Sequence, residues 1–368
     1  MYLLFSFTIG GTERLITDIC NTMCNKGNNV YLYIVNDLYD KSMLNLLDKK
    51  IHVEMQRRKI SQGKKVKTLF KIARYIYMHK IDVVHCNALN TPEILLIAKL
   101  VKPSLKVYYT IHGMEQYKNL SKIRIIYRNI LCRKIIAISE SVKKDIIKSG
   151  ANKDKIEVVY NAINVNNYKK AKKQIMNMDK QRIFNSDNIV IGNIARFSPE
   201  LKGQDILINA IDILRKTYPT IKCIFAGSPD KFHKEIFFKT KKRIEEYNLS
   251  NNIEMAGNIT DIPVFLNNID IFVLPSRLEG FGISLLEAMS MGIPCIASRL
   301  YGPEEVLDFG KRGHLFKPGD VYDLVKVINA VINNYEEEKK RAEINVTEVY
   351  KKYSIESMCN KLLVLYSV

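Results

Sequence analysis

Two glutamates eight positions apart, Glu279 and Glu287, mark the stretch of this 368-residue chain whose residue types and spacing could most directly do chemistry. They lie in Leu274-Pro-Ser-Arg-Leu-Glu-Gly-Phe-Gly-Ile-Ser-Leu-Leu-Glu-Ala-Met-Ser-Met-Gly-Ile-Pro294. An apolar run closes at Pro275, a polar turn carries Glu279, Gly280 and Gly282, and the spacing predicts a helix from about Phe281 to Met291. Glycines let a backbone approach a ligand closely, and the first N–H groups of a helix are donors with no partner inside it. A turn of this kind seats an anion such as a diphosphate. Neither carboxylate would hold phosphate, because like charges repel. Carboxylates placed there accept hydrogen bonds from hydroxyls, on a ribose or on a sugar. Without their surroundings, the two would read as a partner for the helix dipole and a solvated surface acid.

Other residues suit the same chemistry. Arg196 and Lys202, in Asn193-Ile-Ala-Arg-Phe-Ser-Pro-Glu-Leu-Lys-Gly203, follow an apolar run and precede a helical pattern. Two cations on such a loop can neutralise charge that develops on a leaving diphosphate. Gly10-Gly11, in Ile9-Gly-Gly-Thr-Glu-Arg14, separates a short apolar run from an apolar helical pattern. His112 ends the run Lys106-Val-Tyr-Tyr-Thr-Ile-His112 and is followed by Gly113, which makes it a site residue rather than a core one. His85 ends another run and would line an acceptor side. Gly302-Pro-Glu-Glu305 follows a run and would close a wall of the site. His52, His79, His233 and His314 have no such context. No D-x-D pair occurs to hold a divalent metal, and Gly280-x-Gly282 lacks the third glycine of a nicotinamide fingerprint. The seven cysteines form no C-x-x-C pair and are odd in number, which argues against a disulfide framework or a zinc ribbon and for small core residues.

The elements that must position these residues follow from the hydrophobic pattern. Short β-branched runs cover Val30–Val35, Asp82–Cys86, Lys106–His112, Lys134–Ser139, Ile189–Ala195, Ile221–Gly227, Ile269–Pro275 and Pro294–Ser298. Segments with helical spacing, such as Gly203–Thr217, lie between them. That alternation is the pattern of parallel α/β sheets. A chain of 368 residues, 47% of them apolar, is long enough for two cores. The pattern breaks once, in the polar, lysine-rich stretch from about Asn166 to Asn188. Two Rossmann-like domains are therefore expected, over 1–165 and 188–345, with a linker over 166–187. A C-terminal helix over 346–368 would pack back on the first domain. Ligands of such sheets bind beyond the carboxyl ends of the strands, so the site is expected in a cleft between two facing domains.

The stretch from Ser276 to Pro294, with Glu279-(x7)-Glu287, closely resembles the signature of glycosyltransferase family 4, the retaining GT-B enzymes, and the resemblance extends over nearly the whole chain. It implies that Glu287 holds the nucleotide ribose and Glu279 contacts the donor sugar, while the backbone of Phe281, Gly282 and Ile283 serves the diphosphate and sugar. It also implies that Arg196 and Lys202 assist the leaving diphosphate, that Gly10 and Gly11 lie near it, and that His112 stands close to the reacting centre. The spacing from Arg196 to Lys202 is six where the family has five, because Leu201 is extra, and a bulged loop is expected there. The implied activity is transfer of a hexose or N-acetylhexosamine, with retention and without metal or other cofactor. The donor would be a nucleotide diphosphate sugar, with UDP favoured on family grounds, and the acceptor a glycan or lipid-linked glycan of surface polysaccharide or glycolipid assembly. A sugar-nucleotide epimerase on the same fold, and a non-catalytic protein binding an anionic membrane or nucleic acid, remain as alternatives.

Charge adds one further expectation. Residues 1–182 hold 34 Lys and Arg against 14 Asp and Glu, whereas residues 183–368 hold 23 against 24. One half therefore faces, or tolerates, something anionic. Tyr117–Arg133 reads as an amphipathic helix with Leu120, Ile123, Ile126, Tyr127, Ile130 and Leu131 on one face and Lys118, Lys122, Arg124 and Arg128 off it. A second basic cluster comprises Arg57, Arg58, Lys59, Lys64, Lys65, Lys67 and Lys71. Basic amphipathic segments suit an anionic leaflet, although the apolar face could equally pack on the sheet. No nucleic-acid motif accompanies them. There is no basic leader with a cleavage site and no apolar run of the ~18 to 20 residues a bilayer span needs. The expected location is cytoplasmic, peripheral on the inner face of the membrane.

Overall fold

The computed structural model describes residues 1–59, 65–177, 188–229 and 233–367. Two parallel sheets carry the chain. The first joins β1 (Tyr2–Leu4), β2 (Tyr31–Asn36), β3 (His52–Arg58), β4 (Val83–Cys86), β5 (Lys106–Ile111), β6 (Lys134–Ala137) and β7 (Ile156–Val158) in the order β3-β2-β1-β4-β5-β6-β7. The second joins β8 (Val190–Ile194), β9 (Lys222–Ala226), β10 (Ile253–Gly257), β11 (Ile271–Leu274), β12 (Cys295–Ser298) and β13 (His314–Phe316) in the order β10-β9-β8-β11-β12-β13. Parallel neighbours need a crossover, and helices supply it. In each sheet the strand order reverses once, between β1 and β4 and between β8 and β11. At such a reversal the loops leave in opposite directions and open a crevice at the carboxyl edge. Gly10–Gly11 follows β1, Arg196 follows β8, and Glu279 follows β11.

The chain divides into two compact units, Met1–Ala162 with Ile355–Val368, and Ile163–Ser354. These bounds differ from the expected ones. Residues 165–177 do not form a linker; Val165–Asn177 is a helix of the second unit. Lys169, Lys170 and Lys173 are exposed and Lys172 is half-buried against Glu343, while Val165 and Tyr168 are buried one turn apart. The rest of the expected linker, 178–187, lies outside the described residues. The second unit also runs past 345, through the helix Tyr335–Lys352. The helix Ile355–Ser367 belongs to the first unit and packs on the helix Gly11–Asn25. With these bounds the first unit holds 29 Lys and Arg against 14 Asp and Glu, and the second 28 against 24. The basic excess is thus concentrated in the first unit but not confined to it. The second core is built from Ile189, Ile191, Ile271 and Val273 of the central strands and from Leu207, Ile211, Leu324 and Ile328 of the covering helices.

In the first unit two buried polar groups depart from the sequence reading. The helix Lys122–Leu131 does not turn its apolar stripe to the sheet. It buries Ile125 and Arg128 with Leu131 alone of that stripe, and leaves Ile123, Ile126 and Ile130 exposed. Arg128 is fully buried, its Nη2 and Nε reaching Glu93 Oε1 at 2.7 and 2.9 Å, with its guanidinium 5.0 and 5.3 Å from the ring centres of Tyr109 and Tyr117. A desolvated cation costs several kcal/mol unless paired, so this pair fixes the roll of the helix. His85 is likewise buried rather than lining an acceptor side. Its Nε2 meets Thr110 Oγ1 at 2.6 Å and its Nδ1 meets the hydroxyl of Tyr366, which lies on the helix Ile355–Ser367.

Burial, with a smaller contribution from His112, pushes the pKa of His85 down to about 3. Its neutral form is therefore favoured by folding. The corresponding stability is complete above the unfolded value near 6.5 and is lost as pH falls from there toward 3. Between pH 7.5 and 5, urea unfolding of the native chain should lose about 2 kcal/mol more than that of His85→Gln. Equal losses in the two proteins would show that His85 titrates normally.

Candidate active site

The second unit assembles most of the candidate residues through backbone contacts. After β11 the chain turns at Pro275–Gly282 and enters the helix Ile283–Ser290, which is shorter at both ends than expected. Gly282 precedes that helix with φ +94°, a left-handed conformation that favours glycine. After β8 the chain forms a single helical turn, Pro199–Lys202, closed by Gly203 at φ +67°. The two turns are joined: the N–H groups of Arg277 and Leu278 both donate to Leu201 O, at 2.8 and 3.1 Å. Arg277 also donates to Pro199 O at 2.8 Å and grips both oxygens of Asp205, at 2.6 and 2.7 Å. The extra residue Leu201 is thus the one whose carbonyl receives the partner turn, while its side chain stays exposed.

This joint brings Lys202 to Glu279, with Nζ 2.8 Å from Oε2. Arg196 stands at the start of the same loop, and its carbonyl accepts from Gln204 Nε2 at 2.9 Å. Phe281 does not face a ligand with its ring, which is buried edge-on against Tyr353 at 5.8 Å; only its backbone is available to the turn. Gly302 packs on the far side of that turn, where an added Cβ would lie 2.2 Å from Gly280 O. The wall expected from Gly302–Glu305 is therefore a direct backbone contact with the glutamate turn. Glu287 is buried in the helix Ile283–Ser290, and its Oε1 accepts from the Tyr168 hydroxyl at 2.8 Å.

Tyr168 is the site residue that the sequence reading missed. It lies on the helix Val165–Asn177, where the helical spacing of Val165 and Tyr168 is a signal obscured by the flanking lysines. Gly292, at the end of the glutamate segment, has φ +71° and turns the chain toward β12.

The first unit places its candidates at the carboxyl edge of its own sheet. Gly10 caps the helix Gly11–Asn25 from an extended conformation. His112 follows β5 directly, and its Nε2 donates to Asn87 Oδ1 at 3.2 Å, Asn87 lying just after β4. That bond places the proton of the neutral ring on Nε2 and leaves the Nδ1 lone pair to accept. Burial pushes the pKa of His112 down to about 4, so the ring is neutral at pH 7. Among the described residues no group of three or more His, Cys, Asp or Glu is arranged to hold a metal ion.

Two Rossmann-type units in tandem, each with candidate residues at the carboxyl edge of its sheet, have the GT-B fold. Two family models match in tandem, glycosyltransferase family 4 over residues 9–167 and glycosyl transferases group 1 over residues 174–347. The chain belongs to this family of glycosyltransferases. A 41.2 kDa protein of the cps region of Klebsiella pneumoniae is 29% identical over 74% of this chain and 75% of its own length. The capsular polysaccharide biosynthesis glycosyltransferase CapM of Staphylococcus aureus is 26% identical over 83% of this chain and 81% of its own. In fold, the Anabaena protein HepE, solved with UDP and glucose, covers 100% of this chain and 98% of its own at a TM-score of 0.83 and 21% identity.

Three substitutions test the local construction. A Cβ at Gly203 would lie 1.9 Å from Pro275 O, whereas one at Gly27, also at positive φ, would meet open space. Gly203→Ala should therefore cost at least about 2 kcal/mol, and Gly27→Ala about 1 kcal/mol from the backbone alone, in urea unfolding. Tyr168→Phe should cost about 1–2 kcal/mol, because it strips a hydrogen bond from a buried carboxylate; an unchanged midpoint would mean that the bond contributes nothing.

Proposed function

We propose that the protein transfers a hexose or N-acetylhexosamine from a nucleotide diphosphate sugar, with UDP favoured, to a glycan or lipid-linked acceptor, with retention of configuration. The observation that carries this reading is the pair of carboxylates on either side of the Gly282 helix start, each with its own partner: Lys202 on Glu279 and Tyr168 on Glu287. The helix start suits a diphosphate. Glu287, held in place by Tyr168, suits the ribose hydroxyls, and Glu279 suits the donor sugar. Arg196 and Lys202 supply positive charge as the bond from the sugar C1 to the diphosphate oxygen breaks, so the transfer is proposed to need no metal and no other cofactor. The bond from C1 to the acceptor oxygen forms on the same face, and the departing phosphate takes the acceptor proton. The roles proposed for Gly10 and Gly11 at the diphosphate, and for His112 at the donor sugar, rest on the family pattern and on their place at the carboxyl edge of the first sheet. A neutral His112 would offer Nδ1 as an acceptor to a sugar hydroxyl.

The similarity to the capsular polysaccharide glycosyltransferase CapM supports a place in surface polysaccharide or glycolipid assembly. The basic first unit supports peripheral attachment at the inner face of the membrane, where a lipid-linked acceptor would lie. No helix among the described residues is long and apolar enough to cross one.

The purified protein should slowly hydrolyse one nucleotide sugar of a panel, read by release of the nucleoside diphosphate. In calorimetry Glu287→Ala should bind that nucleotide about 10-fold or more weakly, the value of a hydrogen bond to a charged group, and the isosteric Glu287→Gln should fold and lose part of the same affinity. Unchanged affinity in both variants would refute the assignment of Glu287. An epimer appearing in a proton NMR time course with donor alone would replace transfer by epimerisation.

A further inference from the structure

At the amino edge of the first sheet, opposite the edge that carries His112 and Gly10, a cavity of ≈ 630 Å³ is lined by five cations and one carboxylate. Lys106 begins β5, Lys134 begins β6 and Lys155 precedes β7; Lys99 and Arg133 complete the set, with Glu157 opposing it. Glu157 pairs with Lys134 at 2.8 Å. Lys99 donates to the carbonyls of Pro103 and Leu105, and Lys155 to those of Asn129 and Cys132. Carbonyls orient these ammonium groups but do not neutralise them. Burial lowers the pKa of Lys99, and the neighbouring charges of Arg133 and Lys155 act in the same direction. An anion in the cavity would offset these charges.

The floor of the cavity is apolar, including Leu105, Val107 and Leu131, and its rim is formed in part by Ile130. Ile130 belongs to the stripe that the burial of Arg128 turns outward: Ile123, Ile126 and Ile130 are 79%, 57% and 75% exposed. Leu100 and Val101 are exposed at the end of the helix Leu96–Val101, which carries Lys99. A cationic cavity thus continues into an uncovered aliphatic surface. A small soluble anion would have no use for that surface, and nucleic acid would expect aromatic or polar groups in place of isoleucines. The combination matches a leaflet, with charge at the headgroups and branched side chains below them.

We infer that this cavity takes the phosphate of an anionic phospholipid headgroup, with Ile123, Ile126 and Ile130 entering the leaflet beside it. The inference rests on the peripheral attachment proposed above and gives it a defined surface. It is independent of Arg196, Lys202, Glu279 and Glu287, which belong to the other unit, and of Gly10, Gly11 and His112, which lie at the opposite edge of the first sheet.

Co-sedimentation with vesicles of phosphatidylglycerol and phosphatidylcholine tests it. The full chain should bind vesicles containing phosphatidylglycerol, should not bind pure phosphatidylcholine, and should be released by about 0.5 M salt, where surface charges are screened. Arg133→Glu, at an exposed position, should weaken binding about 10-fold or more, since each basic residue near an anionic surface contributes strongly. Ile126→Asn should weaken it severalfold without changing the salt dependence. Donor hydrolysis by both variants should equal that of the native chain, so a failure here is separable from a failure of the proposed activity. Vesicle binding unchanged in Arg133→Glu would overturn the inference. So would protection of the fold by inorganic phosphate without any vesicle binding, or preferential binding of RNA.

Discussion

The contact on which the second unit depends is between two turns held by main-chain groups. Leu201 O receives the N–H groups of Arg277 and Leu278, Gly203 lies against Pro275 O, and Gly302 lies against Gly280 O. The Pro275–Gly282 turn is therefore gripped on two sides at distances that admit no side chain. Interactions of this kind are stiff, because a buried N–H or C=O that loses its partner is expensive to leave unsatisfied. Everything chemical in the unit hangs on that joint. It sets the height of the helix start at Gly282, the reach of Lys202 to Glu279, and the line along which Glu287 enters the site.

Stiff backbone with adjustable charge is a useful division. The Lys202–Glu279 pair is only partly buried, and pairs of this kind contribute on the order of 1 kcal/mol or less. Glu287 is under the opposite regime. It is buried and tied to Tyr168, so its position is set before any ligand arrives.

The first unit solves a different problem with buried polar groups. Arg128 between Tyr109 and Tyr117, paired with Glu93, decides which way a helix faces. His85, between Thr110 and Tyr366, ties the last helix of the chain to the first sheet. Neither residue needs to touch a substrate to matter. One determines which aliphatic surface is left uncovered, and the other fastens the helix that closes the unit.

Sequence by itself determined the strands that are buried on both faces, because a parallel strand covered by helices reads as an unbroken apolar run. All eight runs read from the chain are strands. The strands it did not mark include β3, β7, β10 and β13, which are the edges of the two sheets. Residues such as Glu54, Glu157 and Glu254 interrupt three of them because an edge strand is half solvated. The Glu279 and Glu287 segment was legible for a similar local reason: its glycines, its strand end and its helix start are neighbours in the chain. Tertiary structure alone decided what depends on partners distant in sequence. Tyr168 meets Glu287 across 119 positions, and a lysine-rich segment became a packed helix because only two of its side chains needed a core. The apolar stripe of Lys122–Leu131 faces outward because a buried ion pair outweighs the periodicity that would have turned it in.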